Sequence, residues 1–325
     1  MTKGKLNFKK DNSVEVARII DSYQGKEKGP LLFVMGSIHG NEPAGTLALE
    51  ELFSMLKKEP QKNPDFSFRG KLIGIRGNLN AIKNNQRFIK KDLNRQWTKE
   101  NIARVISTPA EILDSEDQEL RELVSYINSE IKSYQPKEII LLDLHTTTAY
   151  GGIFTIVSDD PKSISIGLSM HAPVIKGLLN GISGTSLHYF KTANFGIPTT
   201  AVCFESGQHR EPLAVTRAVS ALVSFLRAVG SVKPEDVEHR HDLLLKTHAK
   251  NLPAFSELVK VHSINPGDKF IMQPGFTNFQ KIKKGTLLAT DKSGNILAPC
   301  DGMILMPLYQ PQGDDGFFII KEIGE

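Results

Sequence analysis

Three short, largely apolar runs, residues 31–35, 138–142 and 199–204, restrict what this chain can become. They do not alternate apolar with polar positions, so they fit strands covered on both faces. The stretches between them have helix-like spacing. Residues 44–58 carry Leu47, Leu49, Leu52, Phe53 and Leu56, with Pro43 suited to the first turn. Residues 111–133 read as a long helix, and residues 212–229 as another, with Leu213, Val219, Leu222 and Leu226 among its apolar positions. Residues 71–75 add a further strand. Strands alternating with helices of these lengths imply an α/β domain with a largely parallel or mixed sheet flanked by helices. Sites in such sheets gather at the carboxyl ends of strands. His39, His145 and Glu205 each follow an expected strand by a few residues at most.

The chain has 325 residues, 40% hydrophobic and 23% charged, the composition of a soluble globular protein with a full core. A net charge of +4, with scattered basic residues, makes no case for nucleic acid. No apolar run approaches the roughly 20 residues of a membrane span. Behind Met1-Thr2-Lys3-Gly4-Lys5 there is no apolar stretch of the secretory kind. Cys203 and Cys300 lie far apart and read as reduced thiols, so a cytoplasmic location is expected. After about Lys233-Pro234 the texture changes, giving expected domains of residues 1–233 (catalytic) and 234–325 (a small C-terminal all-β unit). Pro-Gly and Ser-Gly turn signals recur from Ile264 onward. Residues 282–289 and 294–304 resemble the barrel-sandwich hybrid of biotinyl and lipoyl carrier domains. The lysine-bearing hairpin of those carriers is absent, so the unit reads as scaffold.

His39 and Glu42 lie three apart in Gly36-Ser37-Ile38-His39-Gly40-Asn41-Glu42-Pro43, and His145 closes Asp143-Leu144-His145. Two imidazoles and a carboxylate form a zinc ligand set that leaves a position open for water, as catalytic rather than structural sites do. An isolated His-x-x-Glu is in most chains a surface or core pair; here it sits in a Gly-rich turn after a buried strand. Gly36 and Gly40 are expected to let the backbone turn tightly there. Asp143 could accept the free N–H of a ligating imidazole, that of either histidine. Residues 87–97 hold Arg87, Lys90, Lys91 and Arg95. A guanidinium can grip a carboxylate or stabilise a developing oxyanion, and Asn94 offers an amide beside Arg95. Lys90 and Lys91 are expected to be solvated, and Asp92 to pair with an arginine and order the loop. Glu205, after a buried strand, suits a general base that takes a proton from water and delivers it to a leaving amine. His239, His241 and His248 read as packing or surface residues.

His-Gly-Asn-Glu, Asp-Leu-Asn-Arg, Asp-Leu-His-Thr and Glu-x-Gly, in this order over roughly residues 30 to 230, resemble the succinylglutamate desuccinylase/aspartoacylase family. The resemblance implies a zinc-carboxypeptidase-like fold with one Zn²⁺ per chain on His39, Glu42 and His145, and metal-activated water as nucleophile. It implies Glu205 as base, Arg87 polarising the scissile carbonyl, and Asn94 and Arg95 holding a substrate carboxylate. The implied activity is hydrolysis of a small-molecule N-acyl amino acid, with no membrane or nucleic-acid partner and with homo-oligomerisation left open. Mn²⁺ or Co²⁺ could occupy similar ligands. One departure concerns the additional arginine that aspartoacylases carry upstream of the catalytic glutamate. That position is Phe195 here, with Lys191 the nearby charge: either Lys191 reaches the same group or N-acetylaspartate is not the substrate, and the second reading is favoured. The alternatives are a metallocarboxypeptidase acting on peptides and a non-catalytic, zinc-stabilised binding module.

Overall fold

A computed structural model describes residues 16–324. The charged N-terminal five residues that argued against a secretory leader lie outside them. The strands are β1 (Ile19–Gln24), β2 (Glu27–Gly36), β3 (Arg69–Arg76), β4 (Ile139–Thr147), β5 (Phe154–Val157), β6 (Val174–Lys176) and β7 (Thr199–Gln208), followed by β8 (Phe255–Ser263), β9 (Ile271–Met272), β10 (Gln280–Ile282), β11 (Leu287–Asp291), β12 (Gly294–Leu297), β13 (Gly302–Leu305) and β14 (Asp315–Glu322). Eleven of them form one mixed sheet in the order β1-β3-β2-β4-β7-β5-β6-β8-β14-β13-β10. At its centre β2, β4 and β7 run parallel, with Leu31 opposite Ile139 and Ile139 opposite Thr199.

The apolar runs are continuous because helices cover both sides. Leu31, Phe33, Met35, Ile139 and Leu141 pack with Leu120, Leu123 and Ile127 of the helix Ser115–Tyr134. Leu32, Val34, Ile140, Leu142 and Val202 pack the other way, against the helices Ala44–Lys62 and Leu213–Ala228. Successive side chains of a strand point to opposite faces, so each run supplies two cores at once. The fold is the expected mixed α/β sheet flanked by helices, with antiparallel strands at the C-terminal end.

Local outcomes differ from expectation in three places. The long helix begins at Ser115, not at 111, because Asp114 caps it by accepting a hydrogen bond from Asp117 N at 2.9 Å. Leu47 and Leu213 lie on the solvent side of their helices, at 42% and 44% exposure. Strands β4 and β7 also continue through His145 and Glu205, so these residues stand on strand ends and not in the loops beyond.

After Lys233 a short 3₁₀ turn, Pro234–Asp236, leads to a helix, Arg240–Ala249, whose buried Leu245 joins the core beneath Leu213–Ala228. Strand β8 then pairs parallel to β6, with Val174 opposite Phe255, and β14 pairs antiparallel to β8. The C-terminal strands thus extend the sheet that carries the apolar runs. Strand β14 serves two cores: Phe318 and Ile320 join the main cluster, while Phe317 and Ile319 join Met272, Leu288 and Ile304 below the three-stranded sheet β12-β11-β9. Cys203 and Cys300 are both free thiols. No helix among the described residues is long and apolar enough to cross a membrane.

Candidate metal centre

Strand β2 delivers the chain to a tight loop at residues 37–43, where Ser37 takes a left-handed conformation at φ 54°. Ser37 Oγ donates to the Glu42 carbonyl at 3.0 Å, and Glu42 N donates to the His39 carbonyl at 3.1 Å. The glycines here serve close approach rather than a special dihedral. A Cβ on Gly36 would lie 2.6 Å from Thr46 N, and one on Gly40 2.1 Å from the Ala81 carbonyl carbon.

Folding brings Glu42 between the two histidines. Its Oε1 lies 2.9 Å from His39 Nδ1, and its Oε2 lies 3.1 Å from His145 Nδ1 and accepts from Thr146 N at 3.0 Å. All three side chains are buried, and their ligand atoms lie within 4.8 Å of one another. Two bonds of ~2 Å to a tetrahedral centre leave donor atoms roughly 3.3 Å apart, so this spacing and donor set fit one zinc-like ion. It is the one such group among the described residues.

Each imidazole has a carboxylate behind it. His145 Nε2 lies 3.3 Å from Asp143 Oδ2, since residues two apart on β4 share a face, and Ser186 Oγ donates to the same oxygen at 2.5 Å. This assigns Asp143 to His145, the choice left open by the sequence. His39 Nε2 lies 3.2 Å from Asp92 Oδ1, a contact the sequence did not announce. Burial alone would raise the Glu42 carboxyl, but His39 and His145 outweigh it and hold the group well below the usual carboxylate range. Burial likewise opposes ionisation of Asp92, and Arg87 and His39 reverse it. Burial also disfavours a charged His145, yet Asp143 and Glu42 hold its pKa well above the ordinary imidazole value. Carboxylates placed this way orient metal-bound imidazoles and raise their basicity, so, for a metal held by His39, Glu42 and His145, Asp92→Asn and Asp143→Asn are each expected to weaken affinity ~10–100-fold. Titration with a competing chelator checks this, and unchanged affinity in both variants would remove the orienting role.

The loop carrying Arg87 and Arg95 is shaped from the helix Ser115–Tyr134. Buried Glu116 accepts from Ile89 N at 2.7 Å and Lys90 N at 3.0 Å, and Asn78 Nδ2 donates to it at 3.1 Å. Arg87 donates from Nε and Nη2 to Asp92 Oδ2, at 3.1 and 2.8 Å, and its Nη1 lies 3.6 Å from Glu42. Asp92 therefore orders the loop as expected and also reaches His39. Asn94 accepts from Ser186 N at 2.9 Å through Oδ1, which leaves its Nδ2 donor for a ligand. Arg95 Nη2 donates to Asp315 Oδ2 at 2.5 Å. Lys90 is solvated, but Lys91 pairs with Asp117 at 2.5 Å and Asp114 at 2.9 Å, so half of that expectation is corrected.

Glu205 stands directly across from His145 in the β4–β7 register. Its Oε2 is buried and has no hydrogen-bond partner among the described residues. Burial pushes its pKa up to about 8; His145 opposes the rise and Glu42 adds to it. His39, Glu42, Arg87, Asn94, Arg95, His145 and Glu205 all line one cavity of about 110 Å³. Asp143 stands behind it. The connection between β13 and β14 supplies further wall, including Leu308, Gln310 and Asp314, and Asp315 adds to it from the start of β14. Two glutamines tie it down: Asn41 Nδ2 donates to Gln310 Oε1 at 2.8 Å, and Gln312 Oε1 accepts from Arg87 N at 3.1 Å. Nothing in the motif spacing pointed to this wall. Lys191 does not line the cavity; it is exposed beside a second cleft, and Phe195 packs on Tyr189 with ring centroids 5.2 Å apart. His241 is packed against Ser220 Oγ at 3.0 Å and His248 lies 3.1 Å from Arg217 Nη2, in line with structural roles.

Among curated proteins the chain is similar to "Probable aspartoacylase" of Nostoc sp., 30% identical over 129 residues, which is 39% of this chain and 39% of that protein's own length. Two solved structures share the fold at identities too low to carry more. One is a succinylglutamate desuccinylase/aspartoacylase from Rhodobacter sphaeroides, with TM-score 0.62, 15% identity, and 92% of this chain and 87% of that one covered. The other is the succinylglutamate desuccinylase from Chromobacterium violaceum, with TM-score 0.61, 15% identity and 94% of each chain covered. Residues 28–209, more than half of the chain, match the succinylglutamate desuccinylase/aspartoacylase catalytic domain, and the chain belongs to that family.

Proposed function

We propose that the protein hydrolyses the amide bond of an N-acyl amino acid, releasing a carboxylate and a free amino acid. The observation that carries this reading is the buried His39–Glu42–His145 group facing Glu205, whose Oε2 is left without a partner. The donor set and its spacing fit zinc. A zinc ion held by these three residues would supply a Lewis acid for a carbonyl and for water, and its charge would draw the Glu205 pKa down from about 8.

The chain's own groups then have separable tasks. Glu205 Oε2 accepts the proton of the attacking water and passes it to the leaving nitrogen, which must be protonated to depart as an amine. The Arg87 guanidinium, fixed by Asp92, stabilises negative charge developing on the scissile carbonyl oxygen. Asn94 Nδ2 and Arg95 hold the α-carboxylate, which sets the amide against Glu205. Asp92 and Asp143 keep the imidazoles oriented.

The test is release of free amine from a panel of N-acetyl, N-succinyl and N-formyl amino acids and short peptides, with a chelated control. Chelator-sensitive turnover of acyl amino acids alone is the expected result. Cleavage confined to peptides would replace this reading with a carboxypeptidase. The wall formed by residues 306–315, pinned to Asn41 and Arg87, favours the small substrate.

A further inference from the structure

We propose that the amino acid released by this enzyme carries a cationic side chain, an ammonium or guanidinium, received at the cavity rim by Asp314 beside the Arg95–Asp315 pair. The inference rests on the deacylase reading and adds the substrate class.

The argument begins with the fate of the cavity's cations. Only two permanently cationic side chains, Arg87 and Arg95, line it among the described residues. Arg87 is committed to Asp92 through two nitrogens and lies 3.6 Å from Glu42. Arg95 gives Nη2 to Asp315 at 2.5 Å and Nη1 to the Asn94 carbonyl at 2.8 Å. Lys191 points to a different cleft, and Phe195 is engaged with Tyr189 and Phe190. A substrate with a second carboxylate would find no free arginine or lysine to receive it, and His209, the remaining basic group of the lining outside the candidate metal ligands, is held below the ordinary imidazole range by burial.

Acidic groups remain at the same end. Asp314, an exposed residue on the cavity's rim, has no hydrogen-bond or ion-pair partner for its carboxylate among the described residues, so it is free to meet a ligand there. With Asp315 it sets two negative charges around the single guanidinium of Arg95. Partial desolvation at the rim raises the Asp314 pKa, Asp92 raises it further, Arg95 opposes them and Asp315 adds to the rise. An α-carboxylate seated on Arg95 and Asn94 deepens that negative field. A side-chain carboxylate would then be repelled, whereas a cation would satisfy Asp314. Leu178, Leu179, Ile182 and Leu308 line the same cavity and suit the alkyl stem of such a side chain.

The test compares kcat/KM for three N-acyl substrates of similar bulk, the derivatives of ornithine (acylated at the α-nitrogen), norvaline and glutamate, each as acetyl, succinyl and formyl forms. The ornithine derivative is expected to exceed norvaline by roughly tenfold, the discrimination typical of one charge-assisted hydrogen bond, and glutamate to be slowest. In Asp314→Asn the ornithine-to-norvaline ratio should fall toward one, and Asp314→Glu should restore it. Raising the salt concentration should erode the ratio in the native enzyme but not in the Asn variant. Glutamate turned over as fast as ornithine, or an unchanged ratio in Asp314→Asn, overturns the inference and leaves the deacylase reading standing. Silence across all three acyl series fells both.

Discussion

Glu205→Gln is expected to lower kcat by about 10²–10⁴-fold while the protein keeps one metal ion per chain. Glutamine preserves shape and burial but cannot take up a proton, so the variant isolates proton transfer from packing. The carboxylate is suited to the task because it is buried opposite His145 with Oε2 unpartnered among the described residues, and burial raises its proton affinity more than His145 lowers it. Metal content by elemental analysis, measured beside kcat, separates the two conceivable roles. Loss of metal with loss of turnover would make Glu205 a ligand and require another base.

The second large effect belongs to His145→Ala, expected to abolish stoichiometric metal binding and with it turnover. Removing the ring deletes one of the three candidate ligand atoms and leaves Glu42 and Asp143 buried, each without its His145 neighbour. Breaking a buried charged pair on one side costs about 3–5 kcal/mol, so the metal-free variant should also melt below the metal-free native protein. Calorimetry of both proteins in chelator makes that comparison. A variant that retained an ion at native affinity would dismiss the His39–Glu42–His145 assignment.

How much of this was legible in the sequence follows from how local each determinant is. His39, Glu42, His145 and Glu205 could be placed together because three buried runs had to become neighbouring strands of one sheet, and their carboxyl ends converge. Asp92 could be matched to an arginine five residues away, but not to His39. That contact depends on the loop shape imposed by Glu116, a buried carboxylate on a distant helix. Strands β5 and β6, of four and three residues, are too short to show a period. They nevertheless decide the far half of the sheet, since β5 reverses direction against β7 and β6 accepts β8. Without that chain of pairings, nothing in the sequence brings Asp315 to Arg95, 220 positions earlier. Gly36 and Gly40 were correctly singled out, but for a different reason: neighbouring backbone crowds them, and neither needs a positive φ.

Strand β14 gives this arrangement a longer reach. Its side chains are claimed alternately by two cores, so it offers little room for change, and it begins at Asp315. The connection just before it is fastened to the cavity's other walls by side chains: Gln310 and Gln312 meet Asn41, Arg87 and Phe88, while Thr148 and Asn278 hold the backbone of Pro307, Tyr309 and Met306. On the proposed reading, proton transfer and substrate choice thus lie in separate parts of the chain. On that same reading, residues 306–314 could be rewritten to change substrate preference while His39 and Glu42 after β2, His145 on β4 and Glu205 on β7 stay untouched. For the same reason, a relative that shares every motif of the metal centre need not share its substrate.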